Sequence, residues 1–169
     1  GVVVAHEFLD DIPCAAVEVD EDGRPRLIGV DASSRRLVVG EPLEDPADLA
    51  WLDRWWPVTR PFMRAEIGRS RDAAWALITG MLDGGAALVI DYGHTRPERL
   101  AGTWDGGTLV GYREGRVVTP VADGSCNLTA HVSIDSVAEA APRAQSTRIA
   151  HWSSVPGRAD FVSLVQTFT

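Results

Sequence analysis

Residues Gly85–His94, GAALVIDYGH, decide the reading of this chain. Four apolar residues in a row follow Ala86, which is the pattern of a strand buried on both faces in the middle of a parallel sheet. A long helical pattern precedes the run and a glycine pair opens it. The expected order is therefore helix, turn, strand, with a turn after residue 90 made possible by Gly93. Asp91, Tyr92 and His94 then emerge at the carboxyl end of the strand, the edge where open α/β sheets bind ligands. The first ten residues, GVVVAHEFLD, repeat the arrangement: an apolar run over 2–5, then His6, Glu7 and Asp10. Two buried strands delivering acids and histidines to one edge outline a binding rim.

Working outward, 169 residues suffice for one core, and 45% hydrophobic and 24% charged residues are ordinary for a globular chain. The net charge of −8 disfavours nucleic acid and anionic membranes and tolerates a basic peptide partner. Cys14 and Cys126 form no CxxC pair and read as reduced thiols of a cytoplasmic protein. No apolar run approaches the roughly 18 residues that span a bilayer, and the amino terminus lacks the pattern of a signal peptide. The chain starts without Met on a strand-like run. Removal of a first methionine would explain that start, but a larger protein cut upstream is the preferred expectation.

Between the two apolar runs lies an expected insertion, residues 15–83. Runs at 15–19, 26–30 and 37–39 with Asp22-Gly23 between the first two predict an antiparallel meander over 15–40. Asp45-Pro46 predicts a capped helix over 46–56, with Trp51, Leu52, Trp55 and Trp56 crowded on one side, facing the core or a lid. A second helix is expected over 62–82, its charged residues Arg64, Glu66, Arg69, Arg71 and Asp72 forming a solvated face. Residues 95–107, rich in Gly, Pro and charge, suggest a mobile rim loop. A hairpin at 108–119, a helix capped by Ser133 or Asp135, and strands at 147–152 and 161–168 follow.

Three clusters could carry chemistry. In His6-Glu7-Phe8-Leu9-Asp10, two carboxylates could hold a cation, act as base, or merely cap the next turn. Asp91 and His94 could form an acid/base pair or hydrogen-bond loop backbone. His131, in LTAHV, is either a site residue or a satisfied structural histidine. Metal binding is not expected, because His6, His94, His131 and His151 are scattered without ligand spacing. There is no GxSxG nucleophile elbow, GxGxxG or P-loop.

Taken in order, three segments resemble the MidA-like (DUF185) family of S-adenosylmethionine-dependent methyltransferases, which includes the mitochondrial protein arginine methyltransferase that assists complex I assembly. HEFLDDIPC is similar to the family's NE-(hydrophobic)-LDALPV. GAALVIDYGH followed by GTLVGYR resembles its DYG-H and GTLRGYR pair, and NLTAHVSI resembles DLTAHVDF. The resemblance runs from residue 1 to about residue 153, and the tail after Val155 matches nothing in it. His6 stands where the family has Asn, Asp11 replaces a small residue, and Ser133-Ile134 stands for Asp-Phe.

The resemblance implies an α/β fold: the carboxyl-terminal half of a Rossmann-like class I methyltransferase sheet, seven-stranded when whole. Residues 1–5 would be its fourth strand and 86–90 its fifth, with the glycine-rich cofactor loop upstream of residue 1. It implies S-adenosyl-L-methionine as cofactor, with His6, Glu7 and Phe8 at its methionine end. Glu7 and Asp10 would be catalytic, gripping an arginine guanidinium by bidentate hydrogen bonds. Asp91, Tyr92, His94, Tyr112, Arg113 and His131 would line the acceptor side. The acceptor would be a protein or a small molecule, a homodimer is compatible, and this chain alone would be inactive. The rival expectation is a non-catalytic assembly factor that holds a partner protein on a surface made by Trp51, Trp55 and Trp56.

Overall fold

The computed structural model describes residues 1–152 and 161–169. In chain order the elements begin with strands β1 (Val2–His6), β2 (Ala15–Val19), β3 (Pro25–Val30) and β4 (Leu37–Pro42), then helix α1 (Pro46–Trp55). Next come β5 (Arg64–Ile67), α2 (Arg69–Gly80), β6 (Gly85–His94), α3 (Arg96–Leu100), β7 (Val110–Arg113) and β8 (Arg116–Val118). The last are β9 (Asn127–Thr129), β10 (Val132–Ser133), α4 (Ile134–Glu139), β11 (Ser146–Trp152) and β12 (Phe161–Phe168). These divide into two compact units, the first Gly1–Pro13, Gly68–Pro97 and His131–Thr169, the second Cys14–Ile67 and Glu98–Ala130. The chain thus leaves the first unit twice, and α2 belongs to the first unit.

In the first unit the strand order is β1-β6-β12-β11, with β10 also pairing with β6. β1 and β10 run parallel to β6, and β12 is antiparallel to both β6 and β11. β6 is longer than the apolar run suggested. Asp91 and Tyr92 pair with Val162 and Phe161 of β12, and Gly93 and His94 with Val132 and Ser133 of β10. The turn expected after residue 90 is therefore absent, and Gly93 serves close packing: a Cβ there would lie 2.6 Å from Val162 Cγ2 and 2.8 Å from Val132 O.

One face of this sheet is covered. Ala5, Ala87, Val89, Val162 and Leu164 pack with Trp75 of α2 and Val137 of α4 in one core. Trp75 Nε1 donates to Gln166 Oε1 at 2.8 Å, and Gln166 Nε2 donates to Ala138 O at 2.8 Å, so the buried polar groups between the two helices and β12 are satisfied. The other face carries no helix among the described residues. Val2 is 77% exposed and Val4 61%. The expectation that both apolar runs are buried on both faces is corrected for each: β1 among the described residues pairs only with β6, and in β6 Ala87 and Val89 are buried while Ala86, Leu88 and Ile90, on the other face, are only half-buried.

In the second unit β4-β3-β2-β5 form an antiparallel sheet and β8-β7-β9 another. Asp45 Oδ1 accepts from Ala47 N and Asp48 N to open α1, as Asp-Pro implied. Trp51, Leu52 and Trp56 of this region join Val17, Ala65 and Ile67 in the core. Trp51 is 6% exposed and Trp56 1%, so neither can form the partner-holding surface expected of them. The helix expected over 62–82 is corrected: β5 occupies its first third, because Arg64–Ile67 pairs with β2, and α2 starts at Arg69. The loop expected to be mobile contains α3 and is tied down. Glu66, 4% exposed, accepts from Thr108 N, Thr108 Oγ1 and Leu109 N, and Arg64 N donates to Asp105 O at 2.8 Å.

Of the tail after Val155, residues 156–160 lie outside the described residues, as does residue 153, where the resemblance ends; the rest is β12 and Thr169. No helix of the described residues is long and apolar enough to cross a membrane.

Candidate functional site

The site grows from the end of β1. Ala5 is buried and His6 begins the rim, its side chain 57% exposed, with Nδ1 3.9 Å from Glu7 Oε1. Glu7 N donates to Ile90 O at 2.9 Å, and Glu7 then turns the chain with φ +47°. A non-glycine residue held in that region stores strain, a feature concentrated at functional turns. Phe8 is exposed, and Leu9 behind it is fully buried and anchors the loop in the core.

The loop backbone is held from below by two buried charged side chains. Asp91 Oδ2 accepts from Leu9 N at 2.9 Å and Asp10 N at 3.4 Å, and Oδ1 accepts from Tyr92 N at 2.9 Å. Burial, and next the nearby Asp10 carboxylate, push the Asp91 carboxyl up to about 6; the three backbone donors offset only part of that. Arg71, 2% exposed, donates from Nε to Ile12 O at 3.2 Å, from Nη2 to Asp10 O at 3.0 Å, and from Nη1 to His131 O at 2.8 Å.

Beside this loop stands a row of rings. Tyr92 and Phe161 have centroids 4.2 Å apart, Tyr92 and His131 6.2 Å, His94 and His131 6.1 Å, and His6 and Phe161 6.4 Å. His6 and Phe161 also border an open groove of about 880 Å³ along the uncovered sheet face, with Ile90, Arg148, Trp152 and Val165.

The first unit therefore brings together His6, Glu7, Phe8, Asp10, Asp91, Tyr92, His94 and His131. Within that set, Asp91 and His94 are fully buried; Asp91 braces the loop from inside, so its geometry is that of a support and not of a surface contact. Tyr112 and Arg113 lie on β7 of the second unit. There Arg113 Nε donates to Ser125 O at 2.8 Å, which uses the side chain to hold a turn. Arg71 is the residue that sequence reasoning missed. The available signal was spacing: Arg71, Trp75 and Thr79, all buried, follow one another at four-residue intervals along α2. Among the described residues no group of three or more His, Cys, Asp or Glu could hold a metal ion.

A family model described as "Putative S-adenosyl-L-methionine-dependent methyltransferase" matches residues 1–152. The chain belongs to this methyltransferase family. S-adenosyl-L-methionine is the cofactor of the family, and the loop after β1 falls inside the matched residues. No curated protein matches the chain. Two solved structures from Burkholderia thailandensis are similar to it, each with a TM-score of 0.81 and 20% identity: an uncharacterized COG1565 superfamily protein and a member of that superfamily bound to S-adenosyl-homocysteine. Each similarity covers 99% of this chain, and 55% and 53% of the respective neighbour, so the chain spans about half their length. At that identity the likeness concerns the fold.

Proposed function

We propose that this chain carries the acceptor side of a class I, Rossmann-like S-adenosylmethionine-dependent methyltransferase that modifies arginine side chains of a protein, as in the MidA-like group. The observation that carries the reading is the strained, exposed Glu7 at the end of β1, on a loop whose backbone is fixed beneath it by Asp91 and Arg71.

Topology supports the class. The connections β1→α2→β6 and β6→α4→β11 both join parallel strands and advance in one direction across the sheet. Parallel crossovers are right-handed, which puts both helices on the same face. A parallel sheet is normally covered on both faces. Helices over the exposed Val2/Val4 face would then belong to crossovers running the opposite way, outward from the open edge of β1. The strand order would reverse beside β1, and such a switch point is where open α/β sheets bind ligands. The neighbours, nearly twice as long, have room for such strands.

The side chains next to that edge fit the cofactor's amino-acid end. His6 and Phe8, exposed on either side of Glu7, would border that end. The bound cofactor would supply an electrophilic methyl group on a sulfonium. Glu7 would take the guanidinium of the acceptor in a bidentate grip and orient one nitrogen. Asp10, half-buried beside Asp91, is better suited to organising the loop than to gripping. Tyr92 and His131 would wall the acceptor side.

Glu7→Gln in the longer protein tests the grip. Methyl transfer to an arginine-containing basic peptide is expected to fall roughly ten- to hundredfold, the weight of one charge-assisted contact. Unchanged turnover would remove Glu7 from the reaction.

A further inference from the structure

Two halves of the site sit on separate stretches of chain: the Glu7–Asp10 loop after β1, and His131 ahead of β10. Nothing covalent near the site joins them. The guanidinium of Arg71 does so, since Nη2 holds Asp10 O and Nη1 holds His131 O while Nε holds Ile12 O. We infer that Arg71 is a positioning residue that locks the acidic loop and the His131 side of the site in register, so that ligand binding at one half depends on order in the other. For the ligand involved, this rests on the cofactor reading above; the lock itself does not.

A backbone account of the loop supports the lock. The amides of Leu9 and Asp10 go to Asp91, and Ile12 N goes to Leu9 O. The carbonyls of Asp10 and Ile12 go to Arg71, and that of Pro13 accepts from Ser70 Oγ. The backbone polar groups of Leu9, Asp10, Ile12 and Pro13 are thus paired from within the unit. The side chains of His6, Glu7 and Phe8 are exposed at its entry. The first turn of α2 supplies both Ser70 and Arg71, so one helix end sets the height of the loop. Arg71 is also suited to the task by chemistry. A planar guanidinium presents fixed, divergent N–H groups that reach three carbonyls at once, whereas an ammonium on a flexible stem does not reproduce that fork.

Asp91 holds the same loop but has no hydrogen bond to residue 131, and this difference gives the test. Amide exchange would be followed by NMR in the wild type, Arg71→Lys and Asp91→Asn. Arg71→Lys is expected to speed exchange roughly tenfold or more at Leu9 and Asp10 and also at Val132 and Ser133. Val162 and Leu164 of β12 would be unchanged. Asp91→Asn is expected to loosen Leu9, Asp10 and Tyr92 and to leave Val132 and Ser133 unchanged. Loosening of the loop without Val132 and Ser133 in Arg71→Lys overturns the lock, and so does uniform loosening that includes β12, which would make Arg71 a general stability residue.

In parallel, S-adenosyl-homocysteine would be titrated into the longer protein. Arg71→Lys is expected to weaken its binding about tenfold, and equal affinity overturns the coupling to ligand. Absence of binding by the wild-type protein overturns the cofactor reading itself, while the exchange pattern still decides the lock.

Discussion

Asp91 closes an apolar run at a sheet edge, where the sequence allowed either a pair with His94 or hydrogen bonds to loop backbone, and the resemblance implied a place on the acceptor side. In the fold it is fully buried and spends both oxygens on backbone amides. Its raised acidity constant has a signed consequence. The folded chain keeps this proton up to about pH 6, whereas an unperturbed aspartate releases it near 3.8. Between these values the folded state binds more protons, so the stability contributed by this group falls as pH rises and is level above 6. Compared with Asp91→Asn by urea unfolding, the wild type is expected to lose about 2 kcal/mol of relative stability from pH 4 to pH 7. A difference that does not change with pH would contradict the assignment. Asp31 works in the opposite sense, its carboxyl drawn down to about 2 by the Ser33 and Ser34 donors. Asparagine at 91 leaves that contribution in place. Glu66 and Arg71 were read as part of a solvated face because charge is solvated by default; for Arg71 the four-residue spacing with Trp75 and Thr79 was the one local sign of burial, whereas the partner of Glu66, Thr108, lies 42 residues on.

At the scale of elements, legibility followed local rules. The Asp45-Pro46 start of α1, the Asp22-Gly23 turn between β2 and β3, and the late strands were readable because caps, turns and alternation are short-range signals. Asp45→Ala is expected to lower stability by about 1 kcal/mol, measured by thermal or urea unfolding; no change would mean the cap is replaced by solvent. The boundary between β5 and α2 was not readable, since strand Arg64–Ile67 exists through its partner β2, fifty residues upstream in round terms (about one excursion of the chain). The length of β6 was hidden likewise: Asp91–His94 looks like a turn until β10 and β12 pair with it. Gly93→Ala is expected to destabilise by roughly 1–3 kcal/mol through the contact with Val162 and Val132, a packing effect and not one of backbone freedom. Wild-type stability in that variant would show that β10 can shift away.

At the scale of the molecule, the meeting of the β1 and β6 ends at one sheet edge was legible in the sequence, and the part played by α2 was not. Residues 9, 71, 91 and 131 meet because α2 and β6 return to β1 after an excursion whose length carries no information about the return. The uncovered face of β1 and β6 follows from the same topology. Its exposed valines are the surface that further helices and strands of a class I sheet would bury. We propose that residues 1–169 carry the rim beside β1 while the rest of the cofactor site comes from polypeptide outside them. The most direct measurement is calorimetric titration of S-adenosyl-homocysteine into this chain and into a protein extended upstream to the neighbours' length. The account expects binding by the extended protein alone; tight binding by residues 1–169 alone, or none by either, would contradict it.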